Sequence, residues 1–197
     1  MKTTIHFVRH CANLNPDGII PGRIPGFHLN QEGKNRARKL GNYFKGRPIK
    51  FIYTSPIERA FETANIVAEF LPEAKISHAY ELIEVDSSSW QGYKLEEVFT
   101  NKNYDLYLND PSTTTVPENL NKLAGRMKEF TLKLCEKHKG GEIVCISHND
   151  PIIALRLTLE EKSLQLLKTF HLSIGSITTF IFDDSGRVTE TQYTEIQ

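Results

Sequence analysis

Two apolar runs in this sequence end in histidine. Thr3 to Val8 is β-branched and aromatic and stops at Arg9 and His10, and Glu142 to Ile146 leads directly into Ser147 and His148. Open α/β sheets bind ligands at the carboxyl ends of their strands. A lone histidine at such an end is more often structural, but here Arg9 precedes the first one. Arg59 also falls in the first turn after a further strand-like run, Ile49 to Tyr53. Guanidinium forks bind phosphoryl oxygens in pairs, and a helix amino terminus adds amide donors. Converging Arg and His groups therefore describe a phosphate pocket.

These residues lie in segments that resemble the signatures of the histidine phosphatase superfamily, the phosphoglycerate mutase-like proteins. "FVRHC" is similar to the family's strand-RHG motif, which implies that His10 is the nucleophile and Arg9 a phosphate ligand. "SPIERAFETA" resembles S-P-x-x-R-A-x-x-T-A and assigns Arg59 to the phosphate. "LIEVDSSSWQG" resembles L-x-E-x-D-x-G-x-W-x-G through Leu82, Glu84, Asp86, Trp90 and Gly92, so Glu84 falls on the proton donor. Asp86 stays open as an alternative donor, since residues two apart in an extended segment point to the same side. "SHND" resembles S-H-G and implies His148 as the second histidine of the pocket, followed by Asn149 as a further phosphate or substrate contact. "LNQEGKNRA" is similar to L-T-x-x-G-x-x-Q-A. Arg23, in "PGRIPGF", resembles the family's G-R in the loop over the pocket, which implies contact with phosphate or substrate; Asn13, Asn15 and His28 share that loop.

In-line displacement at phosphorus needs a nucleophile with a free lone pair, and a neutral imidazole supplies one when its other nitrogen is held by an acceptor. His10 meets that need without a metal, and no metal or cofactor is expected. Arg9, Arg59 and His148 would stabilise charge on the equatorial oxygens. Glu84 would protonate the departing alkoxide and then, as carboxylate, activate water. The expected function is hydrolysis of a small phosphorylated metabolite through a phosphohistidine. Two departures bear on it: Cys11 and Asn149 stand where the family has glycine after each histidine. If either position required a positive φ, Cys would tolerate it poorly and Asn moderately. A non-catalytic phospholigand-binding module of the same fold is therefore an alternative, and a phosphoglycerate-type mutase is a third reading.

The elements that would position these groups alternate along the chain, as in a sheet with covering helices. Asn30 can cap a helix to about Phe44, and Ser55, Pro56 and Glu58 read as the start of a helix running to about Phe70. A third strand is expected over Lys75 to Tyr80 and a short helix near Leu95 to Tyr107. Leu120, Leu123, Ala124, Met127 and Leu134 recur at helical spacing before Gly140 and Gly141. Pro151 opens another helix, and Ser176 to Phe182 with Val188 to Tyr193 read as a hairpin around "DDSG". The expectation is one domain over residues 1–197, a three-layer α/β/α sandwich with a mostly parallel sheet and helices on both faces. Twenty-four basic residues balance 24 acidic ones, so no overall excess attracts nucleic acid or an anionic membrane. No apolar run is long enough to cross a bilayer, and three cysteines without a CxxC pair fit a reducing, cytoplasmic setting.

Overall fold

The computed structural model describes residues 1–196; Gln197, the last residue of the expected domain, lies outside the described residues. Six strands form one mixed sheet in the order β3-β2-β4-β1-β5-β6, with β1 Thr3–Arg9, β2 Ile49–Thr54, β3 Lys75–His78, β4 Glu142–Ser147, β5 Ile177–Phe182 and β6 Val188–Thr194. β3, β2, β4 and β1 run parallel, and the β5-β6 hairpin adds antiparallel to β1. The expected fold class is the observed one.

Alternation along the strands sends side chains to both faces. Ile5, Phe7, Ile143, Cys145 and Phe180 join one core with α5 (Leu120–Lys137) and α6 (Asn149–Leu159). Val8, Ile52, Val144, Ile146 and Ile177 join the other with α1 (Gln31–Phe44) and α2 (Glu58–Ala68). The helices pack by the apolar faces their spacing describes: Ala37, Leu40 and Phe44 on α1, and Leu120, Leu123, Met127 and Leu134 on α5 are buried.

Three local expectations are corrected. β3 ends at His78 and gives way to a 3₁₀ turn, Tyr80–Leu82; among the described residues it is an edge strand paired only with β2, and Tyr80 is exposed. The single helix near Leu95 to Tyr107 is two, α3 Leu95–Val98 and α4 Lys102–Asn109, because the Asn101 side chain accepts from the Asn103 and Tyr104 amides and starts a new helix. Ser55 is not the cap of α2, which begins at Glu58 after Ile57 and has no side-chain cap.

The parallel register sets the site. Arg9 is opposite Ser147, and Thr54 is opposite Ile146. The chain continues the ladder past the strand ends, with the His10 amide donating to the Ser147 carbonyl and the Ser55 amide to the Ile146 carbonyl, both at 2.9 Å. Arg9-His10, Ser55 and Ser147-His148 therefore leave the same sheet edge side by side.

Candidate active site

A cavity of about 330 Å³ opens at this edge, lined by Arg9, His10, Arg59 and Glu84 together with Asn13, Asn15, Ile20, Ser87, Trp90, Tyr104, Asp150 and Ile174. His10 is held at both nitrogens. Its Nδ1 lies 2.9 Å from the Cys11 carbonyl, which can only accept, so Nδ1 carries the proton and the Nε2 lone pair is left facing the arginines. Burial, with Arg59 and Arg9 nearby, keeps the imidazole well below its usual pKa and hence neutral.

Arg59 is almost fully buried and organises the floor. Its Nε donates to His10 Nε2 at 3.1 Å, and its Nη2 donates to the Gly22 carbonyl at 2.9 Å and to His148 Nδ1 at 3.3 Å. Among the described residues Nη1 is buried without a partner, as is Nε of Arg9, whose Nη1 donates to the Leu172 carbonyl. Buried orphan donors are uncommon in folded proteins, and two on guanidinium groups that line one cavity suit an oxyanion. Gly22 is needed here. Its φ is +48°, and a Cβ would come within 2.4 Å of the Ser87 hydroxyl.

His148 lies fully buried behind the cavity wall, with its ring centroid 5.1 Å from that of His10. Because Arg59 can only donate, His148 Nδ1 accepts, and its proton sits on Nε2, 2.8 Å from the Ser55 hydroxyl. The hydroxyl that reads locally as a helix cap is thus engaged with a histidine 93 residues away. Burial and the charge of Arg59 depress the His148 pKa as well.

Glu84 reaches the cavity and Asp86 does not; the Asp86 carboxylate accepts from the Ser88 amide and faces Arg23 at 3.6 Å. The Glu84 carboxyl comes within 4.0 Å of His148. Burial, reinforced by the negative Asp150 and partly offset by Arg59, pushes its pKa up to about 7.

The sequence groups Arg23, His148 and Asn149 with the phosphate contacts, and the structure places all three outside the cavity lining, with both His148 nitrogens engaged by Arg59 and Ser55. Arg23 Nε donates to the Glu84 carbonyl at 2.8 Å and its Nη2 to Glu118 at 2.9 Å. Asn149 accepts from the Leu172 amide and donates to Asp150. His28 pairs with Glu62, whereas Asn13 and Asn15 line the cavity. Sequence reasoning missed Ser55 as a histidine partner, Asp150 and Tyr104 in the cavity, and Glu118. It also missed Arg126, which donates to Glu118 and to the carbonyls of Ile83 and Glu84. Asp150 directly follows the second-histidine motif, a visible signal; Glu118 had none.

Comparison with known proteins matches this arrangement to a family. The family model described as histidine phosphatase superfamily (branch 1) matches residues 5–194. The chain belongs to the histidine phosphatase superfamily. Among relatives of this superfamily member, phosphoserine phosphatase 1 of Hydrogenobacter thermophilus is 27% identical over 92% of this chain and 87% of its own. The 2,3-bisphosphoglycerate-dependent phosphoglycerate mutase of Thermoplasma acidophilum is 30% identical over 95% and 90%. A crystal structure of phosphoserine phosphatase from Entamoeba histolytica in complex with 3-phosphoglyceric acid superimposes with a TM-score of 0.84 at 28% identity, covering 98% of each chain. Another structure of that enzyme holds phosphoserine.

The two glycine replacements leave this histidine phosphatase fold unstrained. Among the described residues the only non-glycine with positive φ is Glu161, so neither Cys11 nor Asn149 needs the left-handed region. The Cys11 amide donates to Thr63, and the buried thiol is pushed up to about 12, which removes the thiolate that redox chemistry would require. Among the described residues no helix is long and apolar enough to cross a membrane.

Proposed function

We propose that the chain hydrolyses small phosphate monoesters through a phosphohistidine on His10. The observation that carries this reading is the His10 ring itself: Nδ1 is committed to the Cys11 carbonyl, and Nε2 faces Arg59 in a cavity that Glu84 shares. Arg9 and Arg59 grip the phosphoryl oxygens, their unpartnered nitrogens being the donors that await them. The hydrogen bond from Arg59 Nε to His10 Nε2 breaks as the guanidinium turns to the phosphoryl oxygens; the freed Nε2 lone pair attacks phosphorus, the ester P–O bond breaks, and the Glu84 proton goes to the departing alkoxide. Water then loses a proton to the Glu84 carboxylate and attacks phosphorus. The P–N bond breaks, phosphate leaves and neutral His10 returns. His148, fixed by Ser55, holds the Arg59 guanidinium in plane, and Arg23 fixes the backbone of Glu84. A cavity of about 330 Å³ suits a small metabolite, and the Entamoeba histolytica structures hold ligands of that size.

The test is turnover of p-nitrophenyl phosphate and alkyl monoesters in the presence of a chelator, with a rapid quench for an acid-labile phosphoenzyme. His10→Ala should lose both label and turnover, by about a thousandfold or more in rate; full activity in that variant would end the reading. The similarity to a phosphoglycerate mutase supports a second reading, transfer back to another hydroxyl. Label that passes to 3-phosphoglycerate instead of water would establish it.

A further inference from the structure

Hydrolysis as derived above employs Arg9, His10, Arg59 and Glu84, yet a second carboxylate, Asp150, also lines the cavity. It sits in the first turn of α6, where the helix dipole favours its negative charge. Tyr107 donates to its Oδ2 at 2.9 Å and Asn149 to its Oδ1 at 3.0 Å, which fixes the group in place. Each oxygen keeps lone-pair capacity for a further donor.

Its surroundings suit a cation. Trp90 and Tyr104 both line the cavity with ring centroids 5.6 Å apart, and aromatic faces attract an ammonium. Ser87 also lines the cavity, and its buried hydroxyl has no partner among the described residues. Charge bookkeeping points the same way. A bound phosphate dianion is offset by Arg9 and Arg59, and protonated Glu84 is neutral, so Asp150 is left as an uncompensated negative charge.

We propose that Asp150 is the subsite for an ammonium group on the leaving alcohol, so that the substrate is a small phosphate monoester of an amino alcohol. This rests on the phosphomonoesterase reading and names its substrate class. An ammonium on the leaving alcohol would share the cavity with this carboxylate and with the Trp90 and Tyr104 rings. A leaving alcohol that carries only a carboxylate would meet repulsion from Asp150.

The test uses a matched pair, phosphoethanolamine and 2-hydroxyethyl phosphate, which differ by ammonium against hydroxyl. Calorimetric binding to the His10→Ala protein avoids any dependence on turnover. Phosphoethanolamine should bind about tenfold or more tightly, the range of a charge-assisted hydrogen bond, and Asp150→Asn on the same background should abolish the difference. Equal affinities, failure of both ligands to bind at millimolar concentration, or a preference that survives Asp150→Asn would each overturn the proposal. Turnover of p-nitrophenyl phosphate by the wild-type protein reads the earlier proposal separately. Turnover without ammonium preference rejects only the subsite, and preference without turnover rejects only hydrolysis.

Discussion

The hydroxyl of Ser55 and Nε2 of His148 lie 2.8 Å apart, joining the end of β2 to the end of β4 beneath the cavity. Through His148 Nδ1 this contact reaches Arg59, so a serine that touches no substrate helps set the plane of the buried guanidinium.

Ser55→Ala should therefore weaken both fold and chemistry. The His148 N–H is left without a partner in a fully buried position, which costs about 1–3 kcal/mol in urea unfolding. With the ring free to turn, kcat should fall by roughly tenfold, a modest fraction of what removal of a direct oxyanion donor causes. Unchanged kcat together with lost stability would make Ser55 a purely structural residue.

Glu84 sets the pH dependence. kcat/KM reports ionisation in the free enzyme, and the donor must be protonated for the first step. With its pKa pushed up to about 7, kcat/KM for an alkyl monoester should hold on the acid side of that value and fall by about tenfold per pH unit above it. His10 is held well below its usual pKa and contributes no limb near neutrality. Asp150→Asn removes a repulsion that raises the Glu84 pKa, so the falling limb should move to lower pH. Glu84→Gln should abolish the limb and leave a low, flat rate. A wild-type profile that rises through neutrality would contradict the assignment of Glu84 as acid.

The contrast between these residues shows what a sequence exposes. His10 and His148 were legible because each follows a strand-like run, and the β1–β4 pairing with Arg9 opposite Ser147 brings the two strand ends together. Glu84 was legible through motif resemblance, which already favoured it over Asp86, and the structure lines the cavity with Glu84 and not with Asp86. Ser55 carried a misleading local signal, since S-P-x-E is a helix start by itself and the tertiary contact with His148 overrides it. Glu118 had no signal at all. It is one acid in a polar loop, and its role arises from contact with Arg23, 95 residues earlier in the chain. The same holds for β3, which ends at His78 where its partner β2 ends opposite it at Thr54.

Glu118 and Arg23 give the final prediction. The Glu118 carboxylate accepts from Arg23 Nη2 at 2.9 Å, from Arg126 Nε at 2.6 Å and from the Asp86 amide at 2.9 Å, while both arginines donate to the Glu84 carbonyl. The clamp holds the backbone that carries the acid and makes no contact with the cavity, so its loss should misplace the proton and spare phosphate binding. Glu118→Gln and Arg23→Ala should each lower kcat on alkyl monoesters by about tenfold with KM within about twofold of wild type. Turnover of p-nitrophenyl phosphate should fall less, because a phenolate of low pKa departs with little protonation. A tenfold rise in KM for Arg23→Ala at unchanged kcat would instead return Arg23 to the role that its loop position suggests, direct contact with phosphate.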